Sequence, residues 1–149
     1  MSTAVRVVVR RLTGEVLKGT TQDFYPNRPR FHLLPADGEA PVEIRAADLK
    51  AVFFVKTLAG DRERKKLRGF VAAPAESAQG KKIAVRFKDG ELICGYTLSY
   101  TPDRDGFFLT PVDVEGNNLR IYVLTAATTE IKIGTAAEAL ATQVLGAPA

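Results

Sequence analysis

The amino-acid sequence predicts an all-β protein, built as two tandem five-stranded small barrels packed as a pseudo-dimer, with a short helix at the C-terminus. Three observations carry this expectation. Shifting the 149-residue chain by 76 lays residues 7–37 over 83–113 with 12 identities in 31 positions, among them Gly14/Gly90, Gly19/Gly95, Pro26/Pro102, Arg28/Arg104 and Phe31/Phe107. Within each copy the apolar residues alternate with a period of two, as half-buried strands require. Turn residues punctuate the alternation at short intervals. A repeat of this length points to a duplicated supersecondary unit.

Each element follows in order. Val5, Val7 and Val9 alternate with Arg6 and Arg10, and Ile83, Val85 and Phe87 alternate with Ala84, Arg86 and Lys88, which gives the first strand of each copy. The turns "TGE" and "DGE" place Gly14 and Gly90 where a tight hairpin needs positive φ. A long second strand follows, "EVLKGTTQDF" or "ELICGYTLSY", whose central glycine predicts a bulge or sharp bend. Next come the loops "FYPNRPRF" and "YTPDRDGF", then a third strand ("RFHLLP", "GFFLTP"), a fourth ("VEIR", "RIYVL") and a fifth ("KAVFFV", "TEIKI"). Five short strands in some fifty residues predict a small barrel of the SH3-like or Sm-like type. The expected units are residues 4–55 and 82–134, with a basic linker at 56–81 and a helix and tail at 135–149. In that tail Thr135 and Glu138 have capping-box spacing, and Ala137, Leu140 and Val144 share one helical face.

Two strands depart from the repeat in a way that predicts how the copies join. The fifth strand of copy one carries Phe53 and Val55 where copy two has Lys132; the fourth strand of copy two carries Tyr122 and Leu124 where copy one has Glu43 and Arg45. These two apolar surfaces are expected to cover each other. The opposite edges, "VEIRA" and "TEIKI", keep charges that resist edge-to-edge association. A monomer with a pseudo-twofold repeat is the resulting expectation.

A strand ending in "DG", a second strand with a mid-strand glycine and an Asx-bearing loop before the third strand resemble the first signature of Sm-like proteins. That resemblance implies ligand contacts at the loop before the third strand, here Tyr25, Asn27 and Arg28 in one copy and Thr101, Asp103 and Arg104 in the other. The family's second contact loop carries an Arg-Gly step, whereas the corresponding segments here read "RAADLK" and "LTAATTE". Over nearly its whole length the chain also resembles an uncharacterised bacterial domain family that occurs beside PilZ domains in signalling proteins, through "DGE…G…F-x-P-x-R…F-x-L" and "DLKAVFFV".

Composition narrows the function further. Residues 56–82 hold eight cations against three carboxylates, and the rest of the chain thirteen against fourteen, so the excess positive charge belongs to one segment. Its core, Arg62, Arg64, Lys65, Lys66 and Arg68, is a candidate anion-binding run. "RKKLR" and "RVVVR" have the Arg-x-x-x-Arg spacing of cyclic-di-GMP sites, but the companion Asp/Asn-x-Ser-x-x-Gly is absent, Ala75 standing at the acidic position of "AESAQG". A cyclic dinucleotide is therefore not an expected ligand. At the two loops, Pro presets φ and Asn or Asp accommodates the turn, while Arg28 and Arg104 either pair with a nearby carboxylate or face a ligand.

Nothing in the pattern predicts catalysis, a metal or a cofactor. His32, the lone histidine, replaces Phe108 of the other copy on a strand, and Cys94 has no histidine placed to activate it. One cysteine allows no intramolecular disulfide, and the opening "MSTAVRVVVRRLTG" has neither a signal-peptide core nor a membrane span. The expected protein is a non-enzymatic binding or adaptor module of bacterial signalling, cytoplasmic, with a protein as its partner. The alternative is an RNA- or DNA-binding regulator using the linker and the two Pro-Asx-Arg loops.

Overall fold

The computed structural model describes residues 4–58, 80–98, 100–112 and 117–145. Ten strands, all paired antiparallel, form one sheet: β1 (Val5–Arg11), β2 (Val16–Thr21), β3 (Arg30–Pro35), β4 (Val42–Arg45), β5 (Leu49–Val55), β6 (Lys81–Phe87), β7 (Leu92–Thr97), β8 (Gly106–Pro111), β9 (Asn118–Leu124) and β10 (Thr128–Ile133). Among the described residues one α-helix, α1 (Thr135–Leu145), follows, and short 3-10 turns stand at 46–48 and 125–127. The strand order is β10-β6-β7-β8-β9-β5-β1-β2-β3-β4, so each half runs fifth, first, second, third, fourth.

The sheet does not close on itself, which corrects the expectation of two closed barrels. Among the described residues β4 pairs only with β3 and β10 only with β6, leaving both as edges. Closure fails at the outer strands because the edge that would complete each ring is used, in β5 and β9, to join the halves. The expected join between the fifth strand of one half and the fourth of the other is a backbone ladder, with Ala51 opposite Val123, Val52 opposite Tyr122 and Phe53 opposite Ile121.

This register also corrects the idea that the two apolar surfaces lie against each other. Successive side chains of a strand point to opposite faces, and residues directly opposite across a ladder share a face. Phe53 and Val55 therefore enter the core of the second half, with Ile83, Val85, Phe107 and Ile121. Tyr122 and Leu124 enter the core of the first half, with Val7, Val9, Phe31 and Ile44. The first half lends Ala51, Phe53 and Val55 to the second half's interior, and the second lends Tyr122 and Leu124 to the first's. β5 is buried at all seven positions in consequence, which is why "AVFFV" reads as a continuous apolar run.

Local chemistry explains the recurring details. Gly14 and Gly90 adopt φ of 95° and 92° at the hairpin tips. The mid-strand glycines serve a close backbone approach: a Cβ at Gly19 would lie 2.1 Å from the Leu34 carbonyl oxygen, and one at Gly95 2.3 Å from that of Thr110. There β3 and β8 cross β2 and β7, pairing at only two positions each. Both fifth strands begin with a register shift that skips one residue, Lys50 against β1 and Thr129 against β6. The helix buries Ala137, Leu140 and Ala141 on Ala84, Leu92, Cys94 and Val112, so the Cys94 thiol is covered. Glu138, expected to cap the helix, ion-pairs with Lys82 at 2.7 Å.

Candidate functional site

The sequence-predicted loops converge on one aromatic hydroxyl. In the first loop, Phe24 stands edge-on to Phe31, Phe54, Phe108 and Tyr122, with centroids 5.1, 5.5, 6.3 and 5.3 Å away. This anchors the loop over the junction of β5, β8 and β9. Tyr122 Oη donates weakly to the Pro26 carbonyl at 3.5 Å. On its other side Gly106 leaves the room the phenol needs, since a Cβ there would come within 2.5 Å of Tyr122 Cζ and Oη. Burial raises the Tyr122 pKa; the Asp105 charge adds to the rise and Arg104 opposes it. The hydroxyl is therefore a neutral donor near neutral pH, with elements of both loops beside it.

The predicted site residues themselves line the surface. Tyr25, Asn27, Arg28, Thr101, Asp103 and Arg104 are all exposed. The Arg28 guanidinium lies over the Tyr25 ring, 4.6 Å from its centroid, while the Arg28 and Arg104 backbone N–H groups close their turns onto the Tyr25 and Thr101 carbonyls. The second loop is fastened by Thr125, whose N–H donates to the Asp105 carbonyl and whose hydroxyl donates to that of Arg104. Neither arginine forms an ion pair among the described residues.

Sequence reasoning missed a third member, Arg120. Its guanidinium sits over two rings at once, 4.6 Å from the Phe54 centroid and 4.5 Å from that of Phe108, with no ion pair among the described residues. Its position opposite Phe54 across the β5–β9 ladder places it there. The signal lay in "NLRIYVL", where an arginine shares the alternation of Tyr122 and Leu124 on a face otherwise headed for the core. The other candidate group, Arg62, Arg64, Lys65, Lys66 and Arg68, lies outside the described residues.

Other polar clusters are structural. His32 donates its backbone N–H to Asp23 at 2.8 Å and its ring Nδ1 lies 2.7 Å from the same carboxylate, at the surface. Among the described residues no group of three or more His, Cys, Asp or Glu is placed to hold a metal, and no helix is long and apolar enough to cross a membrane.

The strand order and the terminal helix define the class, a mostly antiparallel β protein, here with exposed arginines backed by aromatic rings at the seam of its two halves. More particularly, the chain belongs to a family of unknown function, DUF6982, whose model matches residues 3–134. No curated protein and no solved structure matches the chain.

Proposed function

We propose that the chain is a non-enzymatic binding module of the bacterial cytoplasm that uses Arg28, Arg104 and Arg120 to hold an acidic segment of a partner protein. The observation that carries this reading is that these three exposed guanidinium groups lack carboxylate partners among the described residues, and that two of them rest on aromatic rings. A guanidinium presents a planar fork of donors that matches a carboxylate. Held on a ring, it loses less freedom when it binds, and the stacking itself contributes roughly 0.5–1 kcal/mol at an exposed site. The nucleic-acid alternative would use the same groups differently, its bases stacking on the guanidinium planes and on the open ring faces.

The two halves are, on this reading, copies of one SH3-like or Sm-like unit that fused into a single adaptor. Supporting this are the shared strand order, the matching glycine crossings, the hairpin bonds of the Arg11 and Phe87 N–H groups to the Glu15 and Glu91 carbonyls, and the Leu12 and Lys88 N–H groups donating to Asp48 and Ala127. A family neighbourhood beside PilZ domains would place such an adaptor in signalling.

Fluorescence anisotropy against an array of Asp/Glu-rich peptides tests the proposal, with a single-stranded RNA of equal charge as competitor. Selected peptides should bind the parent, and replacing all three arginines by alanine should weaken them at least tenfold, about 1.4 kcal/mol. Tight, peptide-resistant binding of the RNA would replace this reading by the nucleic-acid one.

A further inference from the structure

The hairpin turns of the two halves meet at the end of the sheet where β5 begins, around a cavity of about 220 Å³ lined by Arg10, Arg11, Lys50, Phe87, Lys88 and Asp89, together with the 12–14 turn. Lys50 reaches it because of the register shift. β1 runs Arg10 opposite Ala51 and then Arg11 opposite Leu49, so Lys50 is the extra residue of a bulge, a device that re-aims a side chain. Lys50 is 6% exposed. Its ammonium lies 2.7 Å from Asp89 Oδ2, bonds Glu91 as well, and sits 4.7 Å from the Phe87 centroid. Thr129, at the matching bulge, instead donates to the Arg86 carbonyl at 3.2 Å. The lysine is thus a feature of this cavity and not of the bulge.

Arg10 stands on the other wall with its guanidinium 5.3 Å from the Phe53 centroid. Its Nε is buried and has no hydrogen-bond partner, the one such side-chain atom among the described residues. Buried polar groups are almost always bonded, and a buried donor left alone is costly, the more so when charged. The carboxylates nearby are already engaged, Glu15 with Arg11 and both Asp89 and Glu91 with Lys50. Arg10 and Lys88 make no ion pair among the described residues. Lys50, with three donors on its ammonium, has one more than its two carboxylates take.

Cationic side chains lining a shared space are matched best by anionic oxygens, which form the shorter and stronger bonds. The volume sets the size of what carries them. It exceeds the roughly 30 Å³ share of one water and falls short of the 300 Å³ or so at which drug-sized pockets begin. We propose that this cavity binds a small oxyanion, a phosphate or a short carboxylate, with Arg10 as the anchoring donor, Lys50 as the second and Lys88 at the rim. The site is independent of the arginine and aromatic face of the seam, and its ligand would tie the hairpin of one half to that of the other.

Heteronuclear NMR of the full chain decides the matter, in separate titrations with inorganic phosphate and with acetate at fixed ionic strength. Saturable shifts of the Leu12, Gly14, Lys88 and Asp89 amides in either titration are expected, the responding anion identifying the headgroup. In Arg10→Gln the affinity should fall at least tenfold; in Lys88→Gln, a change at an exposed position, it should fall by a smaller factor. Shifts that stay linear with both anions overturn the proposal, whatever the variants do. Saturable binding left unchanged by both substitutions overturns it as well.

Discussion

Phe53→Ala tests the central architectural claim, that each half completes the core of the other. Phe53 belongs to the first half in sequence, is 7% exposed, and packs among Ile83, Val85, Phe107 and Ile121 of the second. Truncating a buried phenylalanine to alanine costs about 3–5 kcal/mol, and loss of the Arg10 contact adds roughly 0.5–1 kcal/mol. Phe53 lies at the seam, where neighbours relax more easily, so we take the lower bound of about 3 kcal/mol. That is a large part of the 5–15 kcal/mol by which domains of this kind are typically stable. It corresponds to a fall of about 6–12 °C in Tm at this chain length. Urea denaturation followed by circular dichroism and tyrosine emission should show one transition at a lower midpoint with an unchanged m-value. Hydrogen exchange should show β1 to β4 losing protection along with β6 to β10. A loss under about 1 kcal/mol, or a second half that opens while the first keeps its protection, would refute the shared core.

Three further outcomes follow from the same structure. Gly95→Ala and Gly19→Ala should each cost more than about 2 kcal/mol in denaturant titrations, since the added carbon meets a backbone oxygen that cannot step aside without opening a strand crossing. In acid, the Lys50 ammonium and the Glu91 N–H hold the Asp89 carboxyl below 3.8 against the effect of burial. At Asp23 burial pushes up, but His32 and Thr21 together hold it below 3.8 as well. Both carboxylates bind protons more readily unfolded, so the stability they contribute is complete above 3.8 and is lost as pH falls through their lower folded values; in Lys50→Met, carboxyl NMR should show Asp89 titrating higher than in the parent. Finally, Glu43→Val combined with Lys132→Val removes charges from the two edge strands and should raise the mass seen in light scattering above that of the parent, whereas an unchanged mass would show that these charges do not guard the edges.

Much of the strand layout was legible because it is encoded locally. Gly14 and Gly90 mark their hairpins, the period of two marks the flanking strands, and the shared face of Ala137, Leu140 and Val144 marks the helix. Strand β2 reads longer than it is, since "TTQDF" keeps strand-like residues after β3 has crossed at Gly19, and a crossing is a property of two segments at once. The open sheet was illegible for the same reason: whether β4 or β10 closes a ring depends on which edge a distant strand takes. Phe53 and Tyr122 stood out in sequence as departures from the repeat, yet their destinations are set by the β5–β9 register, which no single strand contains. At the candidate site, the loops could be read from "PNR" and "PDR". Arg120 left only its place in the alternation of "NLRIYVL" as a trace and the bulged Lys50 left none, because an arginine or lysine within a strand gains its meaning from the ring or carboxylate it meets across the seam.

The exchange of side chains between halves also sets an order of events during synthesis. As the polypeptide leaves the ribosome, β1 to β5 emerge with the Phe53 and Val55 side chains aimed at an interior that has not yet been translated, and with the space for Tyr122 and Leu124 unfilled. Until β9 is out, the nascent chain presents a greasy, hydrogen-bond-hungry margin of the kind chaperones capture. A ribosome that stalls before Asn118 therefore holds a client for the quality-control machinery, and not a finished first half waiting for its twin.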